Sequence, residues 1–136
     1  MGLFANFNIS GSAISAQSIR LNTTASNLAN VETISSTEAG AYRSRHPVFQ
    51  AMLGSLASPA EVGVNMLGIM ESQKGVTRRY DPGHALANAE GFIFGSNVNP
   101  VEEMANMISA SRAYQNNVEV LTTSRDLLLR TLSLGN

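Results

Sequence analysis

The chain contains 136 residues, of which 14 % are charged, and its nine Lys or Arg and ten Asp or Glu give a formal net charge of −1. This length predicts one compact domain or a small domain with long extensions, and the near-neutral charge leaves no basic surface for generic nucleic-acid binding. The chain has no cysteine, which excludes a disulfide framework and a Cys-based zinc site.

The N-terminal segment, residues 1–31, predicts a helix that carries only one charged residue, Arg20. Large apolar residues recur every seven positions with small residues between them, which is the spacing of a coiled-coil contact. The large residues are Phe7, Ile14, Leu21 and Leu28, and the small ones are Gly11, Ser18 and Ala25. The polar side chains are amides and hydroxyls, which neighbours can satisfy when they are buried, so we expect protein on every side of this helix.

The middle segment, residues 32–98, predicts a small β-rich insert. Gly and Pro become frequent, and runs of β-forming residues lie between them: "YRSRHPVFQAML", "VGVNMLGIM", "VTRRY" and "GFIFG". We expect three to five short strands joined by turns, with "YDPGH" as one of the turns. The polar stretch "ETISSTEAGA" is typical of a surface loop.

The C-terminal segment, residues 99–136, predicts one long helix. Asn99 is a good N-cap, Pro100 fits the first helical position, Glu102 fits the third, and Gly135 is a stop signal. A ladder in steps of three and four residues follows: Met104, Met107, Ser111, Tyr114, Val118, Leu121, Arg125, Leu128 and Leu132. Such a helix is about 50 Å long, whereas a compact domain of this size is about 30 Å across, so it must project or find a partner.

These segments predict an α+β fold in which long N- and C-terminal helices pair in a coiled-coil-like manner around a small β-rich insert. The predicted divisions are residues 1–31, 32–98 and 99–136. The pattern favours equally a hairpin within one chain and a coiled coil between chains.

Motifs of catalysis are missing from the sequence, which contains no P-loop, dinucleotide fingerprint, nucleophile elbow or zinc-protease motif. His46 and His84 lie in different turns, and a solvated turn explains each better than a metal site does. The two arginines of "TRRY" are better explained by a strand end or a salt bridge than by contact with RNA. We therefore predict no enzymatic activity, no cofactor, no metal and no nucleic-acid partner, and no apolar run reaches the roughly 18 residues of a membrane span.

Two stretches carry a resemblance to a known family. "GSAISAQSIRLNTTASNLAN" resembles the N-terminal motif of flagellar axial proteins, the subunits of rod, hook and filament. "YDPGH", "ANAEG", "NVNPVEEMANMISASRAYQNNVEVL" and the ending "TLSLG" resemble the C-terminal half of the short proximal rod subunits. The resemblance covers almost the whole chain and is weakest over residues 31–75. The alternatives are another rod protein of the same family, such as FlgB or the larger FlgF, or a coiled-coil adaptor protein.

The resemblance implies a structural subunit of the proximal rod of the bacterial flagellar basal body. Such subunits polymerise helically into the part of the drive shaft that crosses the periplasm, transmit torque and enclose the export channel. The implied partners are copies of the same chain, the rod proteins FlgB, FlgF and FlgG, and the flagellar type III export apparatus, with the rod-base protein FliE as a further candidate. The resemblance also implies export without a cleaved signal peptide and no direct membrane insertion.

The resemblance further implies which residues pack in the inner layer of the assembly, where the two helices lie, with the β-rich insert outside. On the first helix they are Ile14, Leu21, Asn27, Leu28 and Asn30. On the second helix they are Met107, Tyr114, Val118, Leu121, Leu128 and Leu132.

Overall fold

A long helix at each end of the chain flanks five short strands in the computed structural model, which describes residues 3–52 and 62–134. The elements are α1 (Leu3–Ala29), β1 (Ile34–Ser35), β2 (Arg45–Met52), β3 (Gly63–Glu71), β4 (Thr77–Tyr80), β5 (Phe92–Gly95) and α2 (Pro100–Leu134). The two predicted helices and the small strand region between them are confirmed, whereas their coiled-coil pairing stays a prediction.

The start of α2 follows from its capping residues. Asn99 Oδ1 accepts a hydrogen bond from the Val101 amide at 3.1 Å, and the Asn99 carbonyl accepts the first helical bond from the Glu103 amide at 3.0 Å. Asn99 is therefore the N-cap and Pro100 the first helical residue, as predicted. The predicted stop at Gly135 lies outside the described residues. Over the described residues, neither helix combines the length and apolar character needed to cross a membrane.

The strands form two separate sheets. In the three-stranded sheet β5 lies in the middle, antiparallel to both β1 and β4, with Phe94 opposite Ser35 on one side and Arg78 on the other. Strands β2 and β3 pair with each other in a two-stranded sheet. The central position of β5 buries Ile93, which is 2 % exposed and is the largest fully buried apolar side chain among the described residues.

The chain forms two compact parts, each containing a piece of both helices. The junction part comprises Asn22–His46 and Ile69–Met107, and its buried apolar residues are Ala41, Ile93 and Val98. The terminal part comprises the described residues within Met1–Leu21, Pro47–Gly68 and Ile108–Asn136.

The core of the terminal part is made of small residues. Among its described residues the buried apolar ones are Ala5, Ala16 and Ala110. A buried methyl group contributes roughly 0.8 kcal/mol through the hydrophobic effect, so three alanines supply little stability. Larger side chains of this part, such as Ile14, Leu21 and Leu121, are half-buried, so they supply only part of the hydrophobic stabilisation that full burial would give.

Residues 81–91 connect β4 to β5, and the last of them is a glycine in the left-handed region. "YDPGH" forms a turn, in which the His84 amide donates to the Asp81 carbonyl at 3.2 Å, as predicted. At the other end Gly91 has φ of +80°, and its amide donates to the Asn88 carbonyl at 2.9 Å. A Cβ atom at Gly91 would lie 2.8 Å from the ring of Tyr80, so both the backbone and the space require glycine there.

We expect Gly91→Ala to lower the free energy of unfolding by about 1–2 kcal/mol, the cost of holding an L-residue in the left-handed region. Gly95→Ala is the matched control, because its Cβ would meet Thr77 at an ordinary 3.7 Å. That control should change stability by less than about 0.5 kcal/mol. Urea unfolding followed by circular dichroism measures the stability of both variants. Equal unfolding midpoints for the two would show that Gly91 is not required in the left-handed region.

Candidate assembly interface

One face of α1 is covered within the chain and is built from small residues. Ala5, Ala16 and Thr23 are buried on this face, and their spacing places them on one side of the helix. Ser12 lies on the same side, where its hydroxyl donates to the Ile9 carbonyl at 2.8 Å and accepts from the Val64 amide at 3.1 Å. The absence of bulk on this face lets β3 approach the helix closely enough for a direct hydrogen bond.

The large heptad residues of α1 lie on another side. At about 100° per residue, Ile14 and Leu21 project roughly opposite to Ala5, Ala16 and Thr23. Ile14, Leu21 and Leu28 are each half-buried. The residues of the seven-residue repeat therefore lie along one side of α1, where other residues of the chain cover them only in part.

The water-facing residues of α1 carry no charge. They are Asn8, Gly11, Ser15, Asn22, Ala25 and Ala29. An amphipathic helix of a monomer normally presents charged side chains on its outer face. The outer face of α1 is instead made of amides, one hydroxyl, alanines and a glycine, all of which protein can cover at low cost.

Asn27 is completely buried, and its side chain binds residues 42–45, which lie between β1 and β2. Its Nδ2 donates to the Arg45 carbonyl at 2.8 Å, while its Oδ1 accepts from the Arg45 amide at 2.9 Å and from the Tyr42 hydroxyl at 3.0 Å. All these partners belong to the same chain. The resemblance placed Asn27 in the inner packing, and the structure gives its side chain the role of fixing residues 42–45 against the end of α1.

A second asparagine, which sequence reasoning missed, binds the same segment from another element. Asn97 Oδ1 accepts from the Ser44 amide at 2.7 Å, and Asn97 Nδ2 donates to the Lys74 carbonyl at 2.8 Å. The signal for it was weak: Asn97 is an amide between a strand and a helix N-cap, a common place for side chains that bind turns. Together Asn27 and Asn97 tie the end of α1 and the approach to α2 to one short segment.

Asn30 has a local role at the end of α1. Its Nδ2 donates to the Ser26 carbonyl at 2.8 Å, and its amide approaches the carbonyls of Ser26 and Asn27 at 3.2 and 3.1 Å. Carbonyls in the last turn of a helix lack partners within the helix. Asn30 therefore closes the C-terminus of α1 and remains half-buried.

The predicted residues of α2 divide into two groups. Met107, Tyr114, Leu121 and Leu128 are half-buried, and buried Ala110 and Ser124 lie between them on the same side. Val118 and Leu132 are exposed, together with further large apolar residues of this helix: Val101, Met104, Ile108, Val120, Leu127, Leu129 and Leu134. The described part of α2 therefore presents an extensive apolar surface to water.

Three exposed ion pairs lie on and beside the strands. Arg45 pairs with Glu71 at 3.1 Å, and Arg79 pairs with Asp81 at 3.4 Å. Arg78 approaches Glu90 at 3.9 Å, and its guanidinium lies 3.7 Å from the centre of the Phe92 ring. These pairs confirm the interpretation of "TRRY" as a strand with salt bridges. The side chains are exposed, so each pair contributes at most about 1 kcal/mol.

Comparisons with known proteins place both helices in one family. The family described as "Flagella basal body rod protein" matches residues 7–34, and "Flagellar basal body rod FlgEFG protein C-terminal" matches residues 89–134. The flagellar basal-body rod protein FlgC of Escherichia coli O6:H1 and that of Salmonella typhimurium LT2 are each 44 % identical over 135 residues, covering 99 % of both chains. FlgC of Aquifex aeolicus is 38 % identical over 131 residues, covering 96 % of both chains.

The chain belongs to the FlgC family of flagellar basal-body rod proteins. The resemblance seen in the sequence is therefore confirmed, and the chain is a structural subunit of the basal-body rod. The FlgC relatives are rod proteins by name, and none of these comparisons indicates an enzyme family. The matched regions contain α1, β5 and α2, the elements that carry the apolar and uncharged surfaces described above.

We expect Asn27→Ala to destabilise this FlgC-family chain by about 2–4 kcal/mol, because it removes three part-buried hydrogen bonds, to the amide and carbonyl of Arg45 and the hydroxyl of Tyr42, at about 1 kcal/mol each. Asn30→Ala, in the same "SNLAN" motif, removes one local hydrogen bond at a half-buried position and should cost less than about 1 kcal/mol. Urea unfolding of both variants tests the difference. Equal stabilities would show that the Asn27 hydrogen bonds do not hold residues 42–45.

Proposed function

We propose that this rod subunit belongs to the proximal rod and polymerises helically, with its two helices in the inner layer and its strands outside. In this position it transmits torque and encloses the export channel. The proposal is carried by the apolar surface that α2 leaves exposed in the single chain. Monomeric proteins rarely expose large contiguous apolar surfaces, and such surfaces mark sites of protein association.

The composition of α1 supports the same position. If neighbouring subunits enclosed α1, an unpaired charge on it would lose its hydration at a high cost in free energy, whereas amides and hydroxyls need only hydrogen-bond partners. The exposed residues of α1 named above carry no charge, so their burial by neighbours leaves no charge without a partner. The charged residues of the strands pair at the surface, which suits a layer that faces water.

The heptad residues supply the coiled-coil-like pairing in this proposal. Ile14, Leu21 and Leu28 of α1 pack with Met107, Tyr114, Leu121 and Leu128 of α2, since both sets repeat every seven residues and both are half-buried. Val118 and Leu132 lie along the same side of α2 and are exposed in the single chain, and in this proposal neighbouring subunits cover them. Asn27 and Asn30 act on the interface by fixing the end of α1 rather than by touching a neighbour.

The partners proposed are copies of this chain and the rod proteins FlgB, FlgF and FlgG, with the rod-base protein FliE as a further candidate. The support is membership of the FlgC family together with an apolar surface too long to be covered at a single point. The flagellar type III export apparatus delivers the subunits, and the finished rod crosses the periplasm.

We expect Leu132→Glu to abolish swimming while leaving the isolated chain intact. Leu132 is 66 % exposed in the single chain, so the change should alter the free energy of unfolding by less than about 0.5 kcal/mol. In the rod the carboxylate would be buried without a partner, which is far more costly. Soft-agar motility and electron microscopy of basal bodies, in cells whose own copy is deleted, measure the effect.

Ser36→Glu is the matched control, because Ser36 is exposed in the loop after β1. It introduces the same charge on a surface that the proposal places outside the inner layer, so its cells should swim. Swimming Leu132→Glu cells with normal protein levels would refute the inner position of α2.

A further inference from the structure

A groove without charged residues lies between α1 and β3 in the terminal part of the chain. It has a volume of about 420 Å³ and is lined by Ser12, Ser15, Ala16 and Ile19 of α1 and by residues 64–66 of β3. This volume falls within the about 300–1,000 Å³ of pockets that hold ligands in proteins. The groove is thus large enough to accept several side chains.

The groove follows from the size of the residues that form it. The hydrogen bond between the Val64 amide and the Ser12 hydroxyl holds β3 to the helix at one point. Beyond that point Ser15 and Ala16 are too small to fill the space beneath β3, and Met66 forms an apolar wall that is partly exposed. A charged occupant would find no partner among these side chains, so the groove suits an uncharged one.

The last two turns of α2 have the complementary composition. Residues 127–134 include five leucines and one charged residue, Arg130. Leu127, Leu129, Leu132 and Leu134 are 51, 52, 66 and 86 % exposed. At about 100° per residue they project to several sides of the helix, with Arg130 and Ser133 on the remaining side, so protein can cover this end of α2 from more than one direction. None of these leucines lines the groove of its own chain.

We propose, on the basis of the helical rod proposed above, that the groove between α1 and β3 receives residues 127–134 of a second copy of this chain. The two surfaces are different patches on the same molecule. A contact between different patches repeats from each copy to the next and builds an open helical polymer, whereas a self-complementary patch would close a dimer. A second copy therefore explains both the empty groove and the exposed leucines by one repeated contact.

Disulfide trapping tests this contact without background, since the chain has no cysteine of its own. Cells lacking the native copy express two variants together, Ser15→Cys with an epitope tag and Leu132→Cys without one. Leu132→Cys shortens a side chain of the proposed contact, so complete rods are first verified by swimming and by electron microscopy before oxidation. Basal bodies are isolated after brief oxidation and resolved without reductant. We expect a disulfide-linked dimer of tagged and untagged chains.

Ser36→Cys in place of Ser15→Cys is the control and should give no dimer. Asn65→Cys provides a second position on the opposite wall of the groove. Swimming cells with complete rods but no dimer from either Ser15→Cys or Asn65→Cys would overturn the groove contact and leave the rod function intact. Basal bodies from cells with the unaltered chain that lack this chain altogether would instead contradict the proposed function.

The occupant is identified independently by a photoreactive benzoylphenylalanine in place of Asn65. Irradiated basal bodies should yield an adduct whose peptides map to residues 127–134 of this chain. An adduct with a different rod protein would show another occupant and overturn the assignment to a second copy.

Discussion

The property on which the rest of the structure depends is the mismatch between what the terminal part buries and what it exposes. Among its described residues the buried apolar side chains are Ala5, Ala16 and Ala110, while the leucines near the end of α2 remain in water. Ordering a helix costs roughly 1–2 kcal/mol per residue in backbone entropy, and packing of an apolar face supplies most of what offsets it. Under the function proposed above, neighbouring subunits cover these leucines and supply packing that the single chain lacks.

The junction part is held together within the chain by polar contacts of fixed geometry around a small core. The side-chain amides of Asn27 and Asn97 form hydrogen bonds with backbone groups of residues 44 and 45. Ile93 is buried in the middle strand of the three-stranded sheet. Hydrogen bonds of this kind specify position more than they add stability, because each replaces a bond to water. The ends of both helices nearest the strands are thus positioned by the chain itself.

The sequence predicted the features that depend on local chemistry. The Asn99 cap, the "YDPGH" turn and the two helical periods follow from residues within a few positions of one another. It did not predict the Asn97 contact, because the Ser44 amide lies 53 residues away and only the tertiary structure brings the two together. It also emphasised the large residues of α1, whereas Ala16 and Thr23 are the buried ones, since a close approach selects for small side chains. The resemblance identified Asn27 as important without revealing that its partners belong to the same chain.

The regions of the chain that the family models match differ in their physical constraints from the regions that they do not match. The rod families match residues 7–34 and 89–134 and leave β2, β3 and β4 outside. A helix that contacts protein on every side has few positions where a side chain can change without creating a void or burying a charge. A strand whose exposed ion pairs contribute about 1 kcal/mol or less can change freely. Substitutions at these exposed pairs are therefore expected to cost less stability than substitutions at buried positions such as Ile93 and Asn27.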